Sequence, residues 1–220
     1  LGLGIVKGCW KTDNIHKFVE KFVTLKSSQK PYIIVTSKFK HFCTVFDFDF
    51  RFKTETQVTN EKLMELTKKM SDITQKVTGN LVEMLVTRKQ KNCYKKVDGV
   101  EECWASGCHM YFLKHRFTQG ECLEMRRLML KDIDPELNYK GVDDIIDLSV
   151  FPLGKNGVYL MGSPKPGCPC KLSHRPLFLA YGDAVKELNQ EESRGNIIKL
   201  YKEGICSPEC YISTKEVKIT

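Results

Sequence analysis

Phe46-Asp47-Phe48-Asp49-Phe50, inside the longer run His41–Phe52, is the stretch whose reading decides the fold. Side chains of a strand alternate with period two, so Asp47 and Asp49 share one face. The other face carries Phe42, Phe46, Phe48, Phe50 and Phe52, the last four at every second position. Such a run reads as a buried aromatic face, which turns the two carboxylates away from a core and sets them side by side. Like charges held that close repel, and the usual remedies are a divalent cation or a shared proton. The plain alternative is a solvated strand face. The aromatic alternation, which fixes the strand's orientation, argues for a site.

Around this stretch the chain has 220 residues, enough for one sizeable core and at most a small second lobe. With 41% hydrophobic and 28% charged residues, the composition is that of a soluble globular protein. No apolar run approaches the roughly 18 residues of a membrane helix, so no membrane partner is expected. Lys and Arg number 35 against 27 Asp and Glu, a net charge of +8 that favours polyanionic partners without identifying nucleic acid. The chain starts at Leu1 without Met, and an excised domain is the expectation. Ten cysteines need an account. Cys43, Cys108 and Cys122 fall in apolar periodic segments, where a free thiol behaves as a small hydrophobe. The remainder form no secreted framework, so an intracellular, reducing compartment is expected.

Periodicity gives the elements. Asn14–Leu25 reads as a helix with Ile15, Phe18, Val19 and Phe22 on one face, and Tyr32–Thr36 as a short strand. After the acidic strand, Asn60 is placed as the cap of a helix to Val77, its apolar positions Leu63, Leu66, Met70, Ile73 and Val77 stepping by three and four. This helix is expected to pack on the aromatic face. Leu81–Thr87 and Trp104–Leu113 read as strands, and the polar, basic stretch between them as a long exposed hairpin tip turning at Asp98-Gly99. Thr118 and Glu121 form a capping box for a helix to about Leu130. Val142–Phe151 is predicted as a strand carrying Asp147, with Val158–Met161 as its short partner. From Cys168 onward the composition turns to Cys, Pro and polar residues, with short helices predicted over Asp183–Gln190 and Asn196–Lys202. Strands and helices mixed with hairpin-like connections make the fold class α+β. The expected division is a catalytic core over 1–167 and a Cys-rich extension over 168–220.

Three strand carboxylates, Asp47, Asp49 and Asp147, are of the kind that holds Mg²⁺ or Mn²⁺ for phosphoryl transfer: hard oxygens that leave coordination sites for phosphate and water. His109, mid-strand after Gly107, is either a satisfied core residue or a donor to a phosphate oxygen. Gly162-Ser163-Pro164-Lys165 offers a backbone N–H, a hydroxyl and an ammonium together, as a triphosphate cradle would, or is a simple turn. Arg88, Lys89, Lys91, Lys95 and Lys96, with Tyr94 among them, would track template phosphates while Tyr94 stacks on a base; a solvated loop is the alternative. Cys168-x-Cys170 and Cys206-x-x-x-Cys210, with His174 in reserve, offer four soft ligands for a structural Zn²⁺, against free surface thiols.

Taken in order, Asp47-Phe48-Asp49, a strand with His109, Asp147-Leu148-Ser149-Val150-Phe151 and Gly162-Ser163-x-Lys165-Pro166 resemble the archaeo-eukaryotic primase superfamily, and within it the primase-polymerases and the primase modules of large DNA virus primase-helicases. The resemblance covers about residues 31–167. It implies an RRM-like catalytic sheet, in which Asp47, Asp49 and Asp147 bind two Mg²⁺ or Mn²⁺ ions and His109, Ser163 and Lys165 contact the triphosphate. It implies a template-directed nucleotidyl transferase acting on single-stranded DNA with nucleoside triphosphates. It further implies a helicase domain in the same full-length chain and a viral replication site in the host nucleus or cytoplasm. Two positions depart from the family's pattern. The usual Ser-x-His is here Gly107-x-His109, and no basic residue precedes Gly162, so Lys38, Lys40 and Lys155 become candidates for gripping nucleotide, Lys155 also for DNA. Two readings compete with this one: a metal-dependent nuclease or other phosphoryl transferase using the same carboxylates, and a non-catalytic, zinc-organised nucleic-acid-binding module.

Overall fold

The structure is a computed structural model that describes residues 41–89, 93–97, 101–151 and 174–203, the pieces 34–35 and 158–159, and residues 21, 24 and 25. The aromatic alternation forms strand β3 (Val45–Phe52), whose Phe46, Phe48 and Phe50 are fully buried. Before it lie β1 (Ile34–Val35) and β2 (His41–Phe42). Helix α1 (Asn60–Thr78) follows and lays Leu63, Leu66, Met70 and Ile73 into the same core as the phenylalanines, as its three-and-four spacing predicts. Its cap is Thr59, one residue before the predicted Asn60: the Thr59 hydroxyl accepts from the Lys62 N–H at 3.2 Å. Gly79, at φ 73°, ends it in the left-handed conformation that glycine tolerates best.

Strands β4 (Glu83–Lys89), β5 (Cys93–Val97) and β6 (Glu101–Phe112) make the long hairpin. Both β4 and β5 pair antiparallel with β6, so the basic stretch expected as an exposed tip is mostly ladder. After β7 (Phe117–Thr118) comes α2 (Gln119–Lys131), with the predicted capping box fully formed: Thr118 accepts from the Glu121 N–H, and Glu121 accepts from the Thr118 N–H. The strand β8 (Val158–Tyr159) pairs with β1. The last described elements are β9 (His174–Tyr181), β10 (Ala184–Glu187) and α3 (Gln190–Glu203). The main sheet runs β10-β9-β4-β6-β3, antiparallel throughout, with β5 extending the β4 side of β6. This is the α+β class expected.

Several expectations are corrected. Residues 142–151 are not a strand. Two 3₁₀ turns, Val142–Asp144 and Leu148–Val150, flank a single bridge from Ile146 to Phe48. Asp147 caps the second turn through its own side chain, the local competition that takes Asp and Ser out of ladders. The helix predicted at Asp183–Gln190 is a hairpin: Tyr181 pairs with Ala184 across Gly182-Asp183, Gly182 standing at φ 57°. The second expected helix, Asn196–Lys202, lies within α3, which is longer than predicted. Because β9 pairs with β4, residues 174–187 belong to the central sheet rather than to an extension beginning at 168. Cys43, expected as a free thiol, is disulfide-bonded, whereas Cys103, Cys108 and Cys122 are free and buried. Among the described residues, no helix is long and apolar enough to cross a membrane. The predicted helix 14–25 lies largely outside the described residues.

Candidate active site

Both helices' apolar residues and the phenylalanines fill one side of the sheet, so Asp47 and Asp49 stand on the other. That face is not bare, for Leu85 and Tyr111 on it are also buried. Register then brings the site together. Asp47 pairs with His109, and His109 pairs on its other side with Thr87. The His109 Nε2 lies 3.2 Å from Asp47 Oδ1, and its Nδ1 lies 2.8 Å from the Tyr111 hydroxyl. A tautomer with its proton on Nε2 satisfies both contacts, the tyrosine donating to Nδ1 and the imidazole to the carboxylate. Next along, Asp49 pairs with Gly107, and Arg51 Nη2 approaches Asp49 Oδ2 at 3.5 Å.

The free edge of β3 is closed by the segment that follows α2. Tyr139 N–H donates to Arg51 O, Asp49 N–H to Ile145 O at 2.8 Å, and Asp147 N–H to Asp47 O at 3.1 Å. The Phe48–Ile146 bridge is antiparallel, which puts Asp147 directly across from Asp47, where opposed side chains share a face. Both oxygens of Asp147 are engaged by Ser149, one by its N–H at 2.8 Å and one by its hydroxyl at 2.7 Å. Two further side chains hold this segment. Buried Asn138 donates to the carbonyls of Asp49 and Asp144, and Arg126 of α2 donates from Nε to Ile146 O at 3.0 Å and from Nη2 to Asp143 O.

Asp47, Asp49, Asp147 and His109 are therefore gathered on one patch of β3 and its two neighbours. Among the described residues, no group of three His, Cys, Asp or Glu forms a ready-made metal cage. In kind, the carboxylate oxygens of Asp47 and Asp49 are the hard donors that Mg²⁺ and Mn²⁺ take one or two at a time, with phosphate and water completing the shell. Burial pushes the Cys108 thiol up, with Asp47 adding to the effect, and burial pushes Cys122 up to about 12.

The other predicted residues divide. Arg88 points to the helix side, where Nη1 donates to Asn60 Oδ1 at 2.7 Å and ties β4 to the start of α1. Lys89 is in the sheet on the carboxylate face and only 8% exposed, which corrects its placement on a solvated loop. Tyr94 is 51% exposed and packs on Trp104 at 5.2 Å, on the helix side of the sheet. Ser106, opposite Phe50, is buried on the core side and cannot replace the family's serine. Lys38, Lys40, Lys91, Lys155, Ser163, Lys165, Cys168, Cys170, Cys206 and Cys210 lie outside the described residues, as does the side chain of His174. Missed in the sequence were Arg51, Tyr111, Asn138 and Arg126. The first two sit two residues from Asp49 and His109, so period-two reasoning would have found them; Asn138 and Arg126 carry no sequence signal.

No curated protein gives a significant match to the chain. A family model described as the C962R protein N-terminal AEP domain matches residues 7–175, well over half of the sequence. AEP denotes the archaeo-eukaryotic primase type, a superfamily of primase-polymerase nucleotidyl transferases. The order of motifs, the antiparallel α+β sheet and this match agree: the chain belongs to the family of C962R-protein N-terminal archaeo-eukaryotic primase domains.

Proposed function

We propose that the chain is the catalytic module of a template-directed primase-polymerase, joining nucleoside triphosphates on a single-stranded DNA template. The observation that carries this reading is the cross-strand rung of Asp47 and His109, with Asp49 beside it and Asp147 across the β3 edge. Asp47 and Asp49 would hold the divalent ions, with Asp147 completing the set. When bound, such ions polarise phosphoryl oxygens and lower the pKa of an attacking hydroxyl. The chain's own residues do the rest. With Tyr111 donating to Nδ1, His109 would hold its proton on Nε2, beside Asp47, and could offer it to a phosphate oxygen bound there. Asn138 and Arg126 fix the backbone of the segment that bears Asp147, so the carboxylates meet the substrate pre-aligned.

Incorporation of labelled nucleotide on primed and unprimed single-stranded templates, with Mg²⁺ or Mn²⁺, tests the proposal. Wild type should extend or initiate, while Asp47→Ala and Asp49→Ala should lose activity by roughly a hundredfold or more with their fold intact. Full-length product from either variant refutes the assignment. Strand cleavage without triphosphate by wild type would instead support the nuclease reading.

A further inference from the structure

Arg51 brings a guanidinium to the carboxylate face, and its contacts there leave that group poorly used. It follows Asp47 and Asp49 on the same face of β3, and its side chain is 17% exposed. Nη2 lies 3.5 Å from Asp49 Oδ2, and Nη1 lies 3.9 Å from Asp144 Oδ2. Charge-assisted N–H···O⁻ bonds run about 2.7–2.9 Å, so neither contact is a closed fork on a carboxylate. The Nε–H is buried with no hydrogen-bond partner among the described residues. Across the ladder stands Ala105, whose side chain offers no acceptor. A structural ion pair does not account for the position, because Asp144 is 55% exposed and such pairs add little to stability. A guanidinium carries five N–H donors in a rigid plane, which matches an anion with several oxygens.

We propose that Arg51 binds the triphosphate of the incoming nucleotide, exchanging its long contact with Asp49 for phosphate oxygens. The proposal rests on the nucleotidyl-transfer reading above and names the cation that holds its substrate. Oxygens that share one Mg²⁺ ion sit about 3 Å apart, since each bond is about 2.1 Å. A phosphate sharing an ion with Asp49 thus comes as near to that carboxylate as the Arg51 guanidinium already is. Arg51 gains from the exchange: it leaves a carboxylate whose charge is then neutralised, and it takes an anion that it can grip at two oxygens.

The test is equilibrium binding, independent of turnover. The 220-residue protein is titrated with ATP and with inorganic tripolyphosphate in Mg²⁺, with Mn²⁺ alone, and with a labelled single-stranded oligonucleotide. Arg51→Gln should weaken both triphosphate ligands by about 10- to 100-fold, the size of one lost charge-assisted hydrogen bond. The same variant should bind Mn²⁺ alone no more weakly than wild type, and the oligonucleotide within about twofold. Arg51→Lys keeps the charge without the fork and should fall between wild type and Arg51→Gln. Asp144→Asn removes the other carboxylate partner and should leave triphosphate affinity unchanged or tighter. If Arg51→Gln does not fold, Arg51→Met gives the same readout with an apolar stem. Unchanged triphosphate binding in a folded variant overturns the proposal. So does an equal loss in Asp144→Asn, which makes the pair structural, or a parallel loss of oligonucleotide binding, which assigns Arg51 to the template. A wild type that binds neither triphosphate ligand overturns the nucleotidyl-transfer reading itself, so the two failures are distinguishable.

Discussion

Replacing Gly107 by Ala sets two effects of opposite sign against each other, and the structure decides between them. Glycine in a strand interior costs about 0.5–1 kcal/mol relative to alanine through backbone entropy, so on propensity alone the substitution stabilises. The new Cβ, however, lands 2.7 Å from the Phe48 carbonyl oxygen and 3.8 Å from its carbonyl carbon. Phe48 cannot retreat cheaply. Its strand pairs with β6 on one side, the Asp49 and Asp147 amides hold it on the other, and its own ring is fully buried. Overpacking against fixed backbone costs about 1–3 kcal/mol, which leaves a net loss of about 1–2 kcal/mol. For a chain of this size each kcal/mol lowers Tm by about 2–4 °C, so a thermal scan should show a fall of about 2–8 °C. Nucleotide incorporation at 25 °C should drop further than the lost stability explains, because the displaced strand carries Asp49. Gly107→Ser, which restores the family's usual Ser-x-His, meets the same carbonyl and should gain no activity. A Gly107→Ala protein as stable as wild type or more stable would show that the close approach is not a constraint, and would refute the reasoning.

Three further outcomes follow from single contacts. Arg126→Ala removes the donors to the Ile146 and Asp143 carbonyls and should cost about 1.5–3 kcal/mol; hydrogen exchange at the Asp147 amide, which bonds to Asp47, should quicken, and Arg126→Lys should not restore it. Burial holds the His115 pKa below its usual value, against an opposing pull from Glu121, so the unfolded chain takes up the proton first: its stabilising contribution is intact above about pH 6.5 and is lost as pH falls below it. His115→Gln should flatten that part of a stability–pH curve. Cys103, Cys108 and Cys122 are free and buried, and burial raises the latter two thiols, so at pH 8 iodoacetamide should label them only after denaturant unfolds the chain.

How far the sequence could be read depends on whether a feature is local. The burial of Phe46, Phe48 and Phe50, the capping box at Thr118 and the face of α1 are local, and each was legible. The Asp47–His109 contact is not: it exists because β3 and β6 pair in one register, which no residue within either strand announces. Local patterns also misled. Val142, Ile145, Ile146, Val150 and Phe151 supply strand-like apolar content, yet Asp147 and Ser149 hydrogen-bond each other and convert the stretch to turns. Pro176 hid β9, because proline reads against a ladder strand; it is tolerated where the β4–β9 register shifts between Val86 and Thr87. Gly182-Asp183 between apolar flanks was a hairpin signal that the helical reading passed over.

The partners of the carboxylates bear on how a metal would enter. Asp47 already meets His109, Asp49 meets Arg51, and both oxygens of Asp147 are taken by Ser149. An ion arriving alone must compete with these contacts, and no three described acidic or imidazole groups wait as a cage. An ion arriving with a triphosphate brings phosphate oxygens that complete its shell, while the same phosphates give His109 a new acceptor. Under the proposed function, metal and nucleotide should therefore bind with positive coupling: Mn²⁺ alone weakly, Mn²⁺ with a nucleoside triphosphate more tightly, each by titration calorimetry. Arg51→Gln removes the guanidinium beside Asp49. Partly exposed pairs at this 3.5 Å spacing are worth about 1 kcal/mol or less, so the variant should bind Mn²⁺ alone up to about fivefold more tightly. Equal Mn²⁺ affinity with and without nucleotide would mean that the carboxylates form a complete site by themselves, and that their contacts with His109 and Arg51 do not restrain them.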